Sequence, residues 1–420
     1  MESPVNKLKA RWSGRSPVEV ANQLAAPLYG SAGEWDLPKD VVPKAELLYL
    51  AVGIPDASAL PKEALLESVQ RVLNKPGDLA LRYGFGQGPA GLRDWLAARR
   101  SAEEGFEVNG DWYQMTNGSS GAIDLIVRSM IDPGDVIISE SPTYMGTLHN
   151  FRGVGADVRF VPVDDEGLDV QALAQLLGDL KNQGKRVKLI YTISAYQNPT
   201  GVTLSLARRR RLLELACEFD VMVLDDEAYR DLHFETPAPI ALSALAEGWG
   251  VITTGTFSKT VATGIRIGWI HARPEMLAMF SRMRFAMGQN QLGLRMFMDF
   301  LEHGGFEPHL AHVREVYRRK RDLLHGALKA EVSEFMDWKL PAGGFYFWVT
   351  LKNGLRSQDL WRTAVEEGVA VNLGSGFMPQ GEASEQCIRI AYAWTPEEQF
   401  AEAARRLRIA CERVAAGEGA

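Results

Sequence analysis

Lys259 stands in the run Thr254-Gly-Thr-Phe-Ser-Lys259-Thr-Val-Ala-Thr-Gly-Ile-Arg266-Ile-Gly-Trp269. Val251-Ile252 ahead of it reads as a buried strand, and residues 265–270 behind it as another. A lysine held between buried strands is costly to keep charged. Its pKa falls, and the amine becomes a nucleophile able to form a Schiff base with a carbonyl compound. Thr256, Ser258 and Arg266 crowd the same point, and together they suit a phosphate. A surface lysine snorkelling beside a Gly-rich turn leaves the same trace, so the other chemistry-bearing clusters decide between the two.

Leu224-Asp225-Asp226-Glu227-Ala228-Tyr229 gathers titratable groups at the end of an apolar run, which is not core composition. Neighbouring side chains of a strand alternate faces, so the three carboxylates cannot converge on one metal ion. One of them can pair with a ring nitrogen. Ser194-Ala-Tyr-Gln-Asn198-Pro-Thr-Gly201 also follows an apolar run. It reads equally as a generic turn and as a ligand loop at the carboxyl end of a parallel strand. Thr116-Asn-Gly-Ser119-Ser120-Gly121 joins a strand to a helix. The same residues serve helix capping and the anion site that a helix N-terminus offers.

Arg389 lies in Cys387-Ile-Arg-Ile-Ala-Tyr392, an otherwise apolar strand with no acidic neighbour. A buried arginine needs a partner, either a bound carboxylate gripped bidentately or a distant carboxylate of the chain. Gly86-x-Gly88-x-x-Gly91 spells the dinucleotide fingerprint. It lacks a preceding strand and an acidic residue about 20 positions on, and is rejected. His303, His309 and His312 do not have the spacing of a helical metal pair and read as surface or helix-end residues.

These residues need a scaffold, and the apolar periodicity supplies one. Strands are expected at residues 112–116, 135–139, 156–161, 187–192 and 221–224. Helices are expected between them at 119–131, 144–152, 168–180 and 205–219, the last capped by Ser205. This βαβ rhythm with continuously apolar strands predicts an α/β fold, a mostly parallel sheet covered on both faces. Beyond it come a long amphipathic helix at 307–330, strands near Trp338, 345–350, 369–371 and 387–391, and a helix from Ser357. A last helix is expected with Thr395 as N-cap and Pro396 in its first turn. The expected division is an arm at 1–55, a large domain at 56–306 and a smaller α+β domain at 307–420.

The chain has 420 residues, 46% apolar and 24% charged, the balance of a soluble globular protein. A formal net charge of −7 argues against nucleic acid as a main partner. Three scattered cysteines fit a reducing compartment rather than a disulfide framework. The first residues lack the apolar core of a signal peptide, and no apolar run is long enough to span a bilayer. The expected location is cytoplasmic.

Taken together and in this order, the clusters resemble those of fold-type I pyridoxal 5'-phosphate (PLP) enzymes, the aminotransferase class I/II family. The resemblance runs from about Leu48 to Ala410. It implies that Lys259 holds PLP covalently. It picks Asp226, three residues before Tyr229, as the partner of the pyridine nitrogen. Asn198 and Tyr229 then bond the ring's phenolic oxygen, and Tyr144 of Ser141-Pro-Thr-Tyr stacks on the ring, unless it is plain core. Ser119, Ser120, Thr256, Ser258 and Arg266 cradle the phosphate. Arg82-Tyr83-Gly-Phe-Gly-Gln-Gly88-Pro-Ala-Gly-Leu-Arg93 matches a family pattern whose tyrosine reaches the phosphate of the partner subunit. This implies a homodimer with shared active sites.

Arg389 would grip the substrate's α-carboxylate. The runs Pro341–Trp348 and Val371–Phe377 also match patterns around the substrate pocket. The piece from Leu50 to Pro61 is similar to the substrate-covering segment of the 2-aminoadipate and kynurenine aminotransferase II-like group, with Gly53 at the substrate. Between Gly53 and Pro61 it offers Ile54, Pro55, Ala57, Ala59 and Leu60, no basic residue, and Asp56 as its one charge. The function implied is transfer of an amino group from a large apolar or aromatic L-amino acid to a 2-oxo acid such as 2-oxoglutarate. The alternative is a PLP-dependent β-lyase acting on a cysteine-type substrate. The partners implied are these small molecules, with no nucleic acid and no membrane.

Overall fold

The computed structural model describes residues 3–13, 16, 36–77, 79–84, 86–284, 288–379 and 381–419. Much of the expected arm, residues 17–35 above all, lies outside the described residues. Strand β1 is Leu48–Tyr49. Eight strands then build one sheet: β2 Tyr113–Thr116, β3 Val136–Ser141, β4 Asp157–Asp164, β5 Gly167–Leu168, β6 Val187–Thr192, β7 Met222–Asp226, β8 Val251–Thr256 and β9 Gly268–His271. Their order across the sheet is β2-β9-β8-β7-β6-β3-β4-β5. The central pairs β4–β3, β3–β6, β6–β7 and β7–β8 are parallel.

Helices on both faces explain why central strands β3 and β7 begin as unbroken apolar runs, Val136-Ile-Ile and Met222-Val-Leu, rather than alternating. Helices Gly118–Met130, Met145–Gly153 and Pro274–Met283 bury Ile123, Leu148 and Phe280 against Ile137, Leu189, Leu224 and Ile252. Helices Val170–Asn182 and Leu206–Glu218 bury Leu173, Leu177 and Leu212 against Ile138, Ile190 and Val223 on the other face. Ser205 caps the second of these as expected, its hydroxyl accepting the Arg208 N–H at 3.3 Å.

Strand polarity decides where the chemistry gathers. β3, β6, β7 and β8 all end at one edge of the sheet, and the chain after them carries Tyr144, Asn198, Tyr229 and Lys259. β9 runs antiparallel to β8 and β2, pairing Thr256 and Thr116 with Gly268. The start of β9 therefore meets the same edge and brings Arg266, while the end of β2 brings Ser119 and Ser120.

A second, antiparallel sheet has the order β10-β11-β14-β13, made of Met336–Trp338, Tyr346–Leu351, Cys387–Ala391 and Asn372–Leu373. The 27-residue helix Phe306–Val332, Ser357–Glu366 and Phe400–Ala415 accompany it. β12, Val369–Ala370, pairs with β1 in parallel. From there the chain crosses to the large sheet. Leu50 C=O accepts the Ala391 N–H, Ala51 C=O accepts Arg389 Nη2, and Gly53 C=O accepts Lys259 Nζ.

The last helix departs from expectation. A 3₁₀ turn occupies Glu397–Gln399, and the α-helix starts at Phe400 with Gln399 in the cap position. Thr395 is not its cap: it lies four residues ahead of Gln399, and its hydroxyl donates to the Tyr49 carbonyl at 2.7 Å. A tertiary partner has taken the side chain that local rules assign to the helix.

Candidate active site

A cavity of about 240 Å³ opens where the strand ends meet the Gly53 crossing. Ser119, Ser120, Tyr144, Asn198, Asp226, Tyr229, Thr256, Ser258, Lys259, Arg266 and Gly53, all singled out by the sequence, line it. Arg389 does not line it directly. It meets the cavity through Asn198, whose Oδ1 accepts Arg389 Nη1 at 3.0 Å, and through the ring of Tyr346. Tyr83 does not line it either, and is 73% exposed.

Lys259 lies in the turn after β8, half-buried, with Nζ 2.8 Å from the Gly53 carbonyl and 5.8 Å from the centre of the Tyr229 ring. Asp226 ends β7, fully enclosed. Burial pushes its carboxyl up to about 6, against the Tyr191 hydroxyl, the Thr254 hydroxyl and the nearby Lys259 amine, which favour the anion. Asp225 points to the opposite face, as strand alternation requires, and its Oδ1 receives the Ser194 N–H at 3.4 Å.

The far end of the cavity suits an anion. Helix Gly118–Met130 begins without a side-chain cap, so its first N–H groups have no side-chain acceptor. Two glycines bring this end close. A Cβ on Gly268 would lie 2.4 Å from the Gly118 backbone, and one on Gly118 2.7 Å from Arg266 Nη2. Arg266 holds the left-handed conformation, φ 51°, which is costly for a non-glycine residue. This sets Nη2 3.0 Å from the Asn117 carbonyl at the helix start. Ser258 N–H donates to Thr256 Oγ1 at 3.0 Å, folding the turn onto the same end.

Arg389 Cζ lies over the rings of Tyr346 and Phe377, 4.2 and 4.6 Å from their centres. Neutral oxygens of Asn198, Ala51 and Asn372 accept from it. Tyr229 and Tyr346 share a hydroxyl contact of 2.9 Å.

The family model described as aminotransferase class I and II matches residues 45–407. This chain belongs to that family. It is a PLP-dependent aminotransferase of fold type I, with an α/β large domain and a smaller α+β domain. Aromatic-amino-acid aminotransferase 1 of Thermococcus litoralis is 33% identical to it over 87% of this chain and 88% of that one. The α-aminoadipate aminotransferase of Thermus thermophilus, complexed with N-(5'-phosphopyridoxyl)-L-leucine, aligns at TM-score 0.81 and 33% identity. That alignment covers 88% of this chain and 93% of that one. A kynurenine aminotransferase structure from Pyrococcus horikoshii aligns at TM-score 0.83 and 30% identity, covering 98% of each chain.

The donor set of the aminotransferase fits its cofactor. An uncapped helix start beside Arg266 would suit a phosphate, the Asp226 carboxylate a cationic ring nitrogen and the Lys259 amine a carbonyl, and all of these line one cavity. Sequence reasoning did not single out Ile193, Ala228 or Thr263, which also line the cavity. Tyr346 lay within the Pro341–Trp348 run without being named. Nor did it find Tyr191 and Thr147, whose hydroxyls lie 3.1 Å apart and lead to Asp226. Tyr191 belongs to a strand that reads as pure core, so no spacing rule marks it.

Proposed function

We propose that the aminotransferase moves the amino group of a large apolar or aromatic L-amino acid to a 2-oxo acid such as 2-oxoglutarate. The supporting observation is the charge on the cavity wall. Among the described residues lining it, Lys259 and Arg266 are the cations, one needed as the amine and the other turned to the phosphate end. Asp56, the one charge of the covering segment, points away into an ion pair with Lys320 and accepts from Ser58. Ile54, Ile193 and Tyr346 remain to meet a side chain. Apolar walls favour apolar groups, though each methylene discriminates by only about 1–3 kcal/mol, so a broad donor range is expected.

In this reading Ser119, Ser120, Thr256, Ser258 and Arg266 hold the phosphate, Tyr144 covers the ring, and Asp226 takes the ring nitrogen. Bound there, the cofactor supplies a carbonyl for the donor's amino group and a protonated ring that withdraws electrons from the α-carbon. Asn198 and Tyr229 donate to the ring oxygen. Arg389 donates only, so the Asn198 atom facing it is Oδ1, and Nδ2–H₂ is left to point into the cavity. Arg389 anchors the α-carboxylate of donor and acceptor alike. Lys259 Nζ holds the cofactor at rest and, once displaced, moves the proton to and from the substrate α-carbon. Two half-reactions on one site give ping-pong kinetics.

The division into an arm at 1–55, a large domain at 56–306 and a small domain at 307–420, a cytoplasmic homodimer and small-molecule partners without nucleic acid complete the reading. The test is kcat/KM for L-phenylalanine, L-leucine and L-kynurenine against L-aspartate and L-2-aminoadipate, with 2-oxoglutarate as acceptor and glutamate measured. Superior aspartate or 2-aminoadipate overturns the apolar pocket. Pyruvate and ammonia from a cysteine-type substrate, without glutamate, indicate the lyase.

A further inference from the structure

Two loops that line the cavity are joined behind it by one amide. Gln197 is 1% exposed, and every hydrogen-bonding atom of its side chain is engaged. Nε2 donates to Glu140 Oε1 at 3.1 Å and to the Pro142 carbonyl at 2.6 Å. Oε1 accepts the Thr200 N–H at 2.9 Å and the Thr200 hydroxyl at 2.6 Å. Acceptors on one side and donors on the other fix the orientation of the amide.

Glu140 is itself enclosed. Its Oε1 also accepts the Ile193 N–H at 2.8 Å, and its Oε2 accepts the Thr192 hydroxyl at 2.7 Å. Three donors converge on it, the arrangement for an ionised carboxylate, while burial pushes its carboxyl up to about 8. The clamp thus ties the end of β3, which leads through Pro142 to Tyr144, to the end of β6, which leads through Gln197 to Asn198. Asn198 in turn orients Arg389.

We propose that Gln197, anchored on Glu140, is a positioning residue that sets the Asn198 amide and the Tyr144 ring for the reaction. The proposal rests on the reading of Asn198 as a donor to the cofactor's ring oxygen. Loosening the clamp weakens that donor. The ring oxygen then keeps more of its negative charge and holds the proton of the nitrogen joining cofactor to Lys259 more tightly. The absorbance titration of the bound chromophore must move to higher pH. Arg389, losing a fixed acceptor, must also bind α-carboxylates less well.

The experiment uses the full-length protein loaded with PLP and the variants Gln197→Leu, Thr200→Val, Asn198→Ala and Leu407→Ala. Chromophore pH titration, kcat and KM for L-phenylalanine and 2-oxoglutarate, and melting temperature are recorded. Gln197→Leu is expected to raise the titration midpoint and to raise KM for both substrates by roughly fivefold or more, the effect of one lost buried hydrogen bond. Thr200→Val cuts one arm of the clamp at a half-buried residue and is expected to shift both in the same direction by less. It carries the test if Gln197→Leu does not fold. Leu407→Ala opens a cavity in the last helix, lowers the melting temperature and leaves the titration in place, which separates positioning from general destabilisation. An unmoved titration and unmoved KM in folded Gln197→Leu, or in Thr200→Val where that variant stands alone, overturns the proposal. If Asn198→Ala also leaves the titration unmoved, the reading of Asn198 fails first. If Asn198→Ala moves it and the clamp variants do not, the clamp alone is wrong.

Discussion

Two adjacent aspartates carry different fates because a strand alternates its faces. Asp226 lines the cavity, whereas Asp225 faces the layer behind the sheet, where burial pushes its carboxyl up to about 7. Asp226→Asn is therefore expected to lower kcat by roughly 100- to 1000-fold, the scale for losing one preorganised charge interaction, with a far smaller loss for Asp225→Asn. Equal, mild losses would remove Asp226 from the electronic role. The pH dependence has a defined sign. A cationic ring nitrogen bonds the ionised carboxylate, so PLP capture is full above about 6 and falls as pH drops through that value. The step should vanish from the pH dependence of the PLP Kd in Asp226→Asn. Lys259 has its own test. Borohydride reduction of the loaded enzyme followed by peptide mapping should label Lys259, and label on another lysine ends the assignment.

At the scale of elements, the Gly53 crossing is the tightest joint. A Cβ on Gly53 would fall 1.9 Å from the Tyr346 hydroxyl, so this tyrosine must move if the residue grows. Tyr346 stacks on Arg389 and touches Tyr229. Gly53→Ala is accordingly expected to raise KM for every α-carboxylate substrate by roughly tenfold, the overpacking cost of a rigid site, while PLP stays bound. An unchanged KM would show that Tyr346 has room to give. The sequence made the large sheet legible because strands buried on both faces leave unbroken apolar runs. β3 at Val136–Ser141 and β7 at Met222–Asp226 both begin on such runs. It made the lining residues legible because strand ends concentrate polar groups that core packing does not explain. What it could not show depends on partners distant in the chain. Thr395 gave its hydroxyl to Tyr49, Arg266 took a left-handed conformation, and Gln197 and Glu140 met across 57 residues of sequence. No local rule reports such pairings.

At the scale of the molecule, Leu79, Leu81 and Tyr83 stand 56%, 70% and 73% exposed in one stretch of chain. Large apolar side chains grouped in this way mark an interface more often than free surface. If a second copy covers them and Tyr83 enters that copy's phosphate end, each active site draws Lys259 from one chain and Tyr83 from the other. This arrangement has a consequence that an ordinary dimer lacks. Lys259→Ala and Tyr83→Ala should each be impaired when assayed alone at limiting PLP. Mixed after mild dissociation, half of the dimers combine one chain of each kind. One of the two sites in such a dimer then has both native residues, so activity should recover to about a quarter of the unmutated enzyme. Sedimentation must show the same dimer before and after mixing, so that recovery reports exchange of subunits and not assembly of a larger species. Dimers that exchange subunits without regaining activity would mean that Tyr83 serves its own chain or none, and that each site is complete within one subunit.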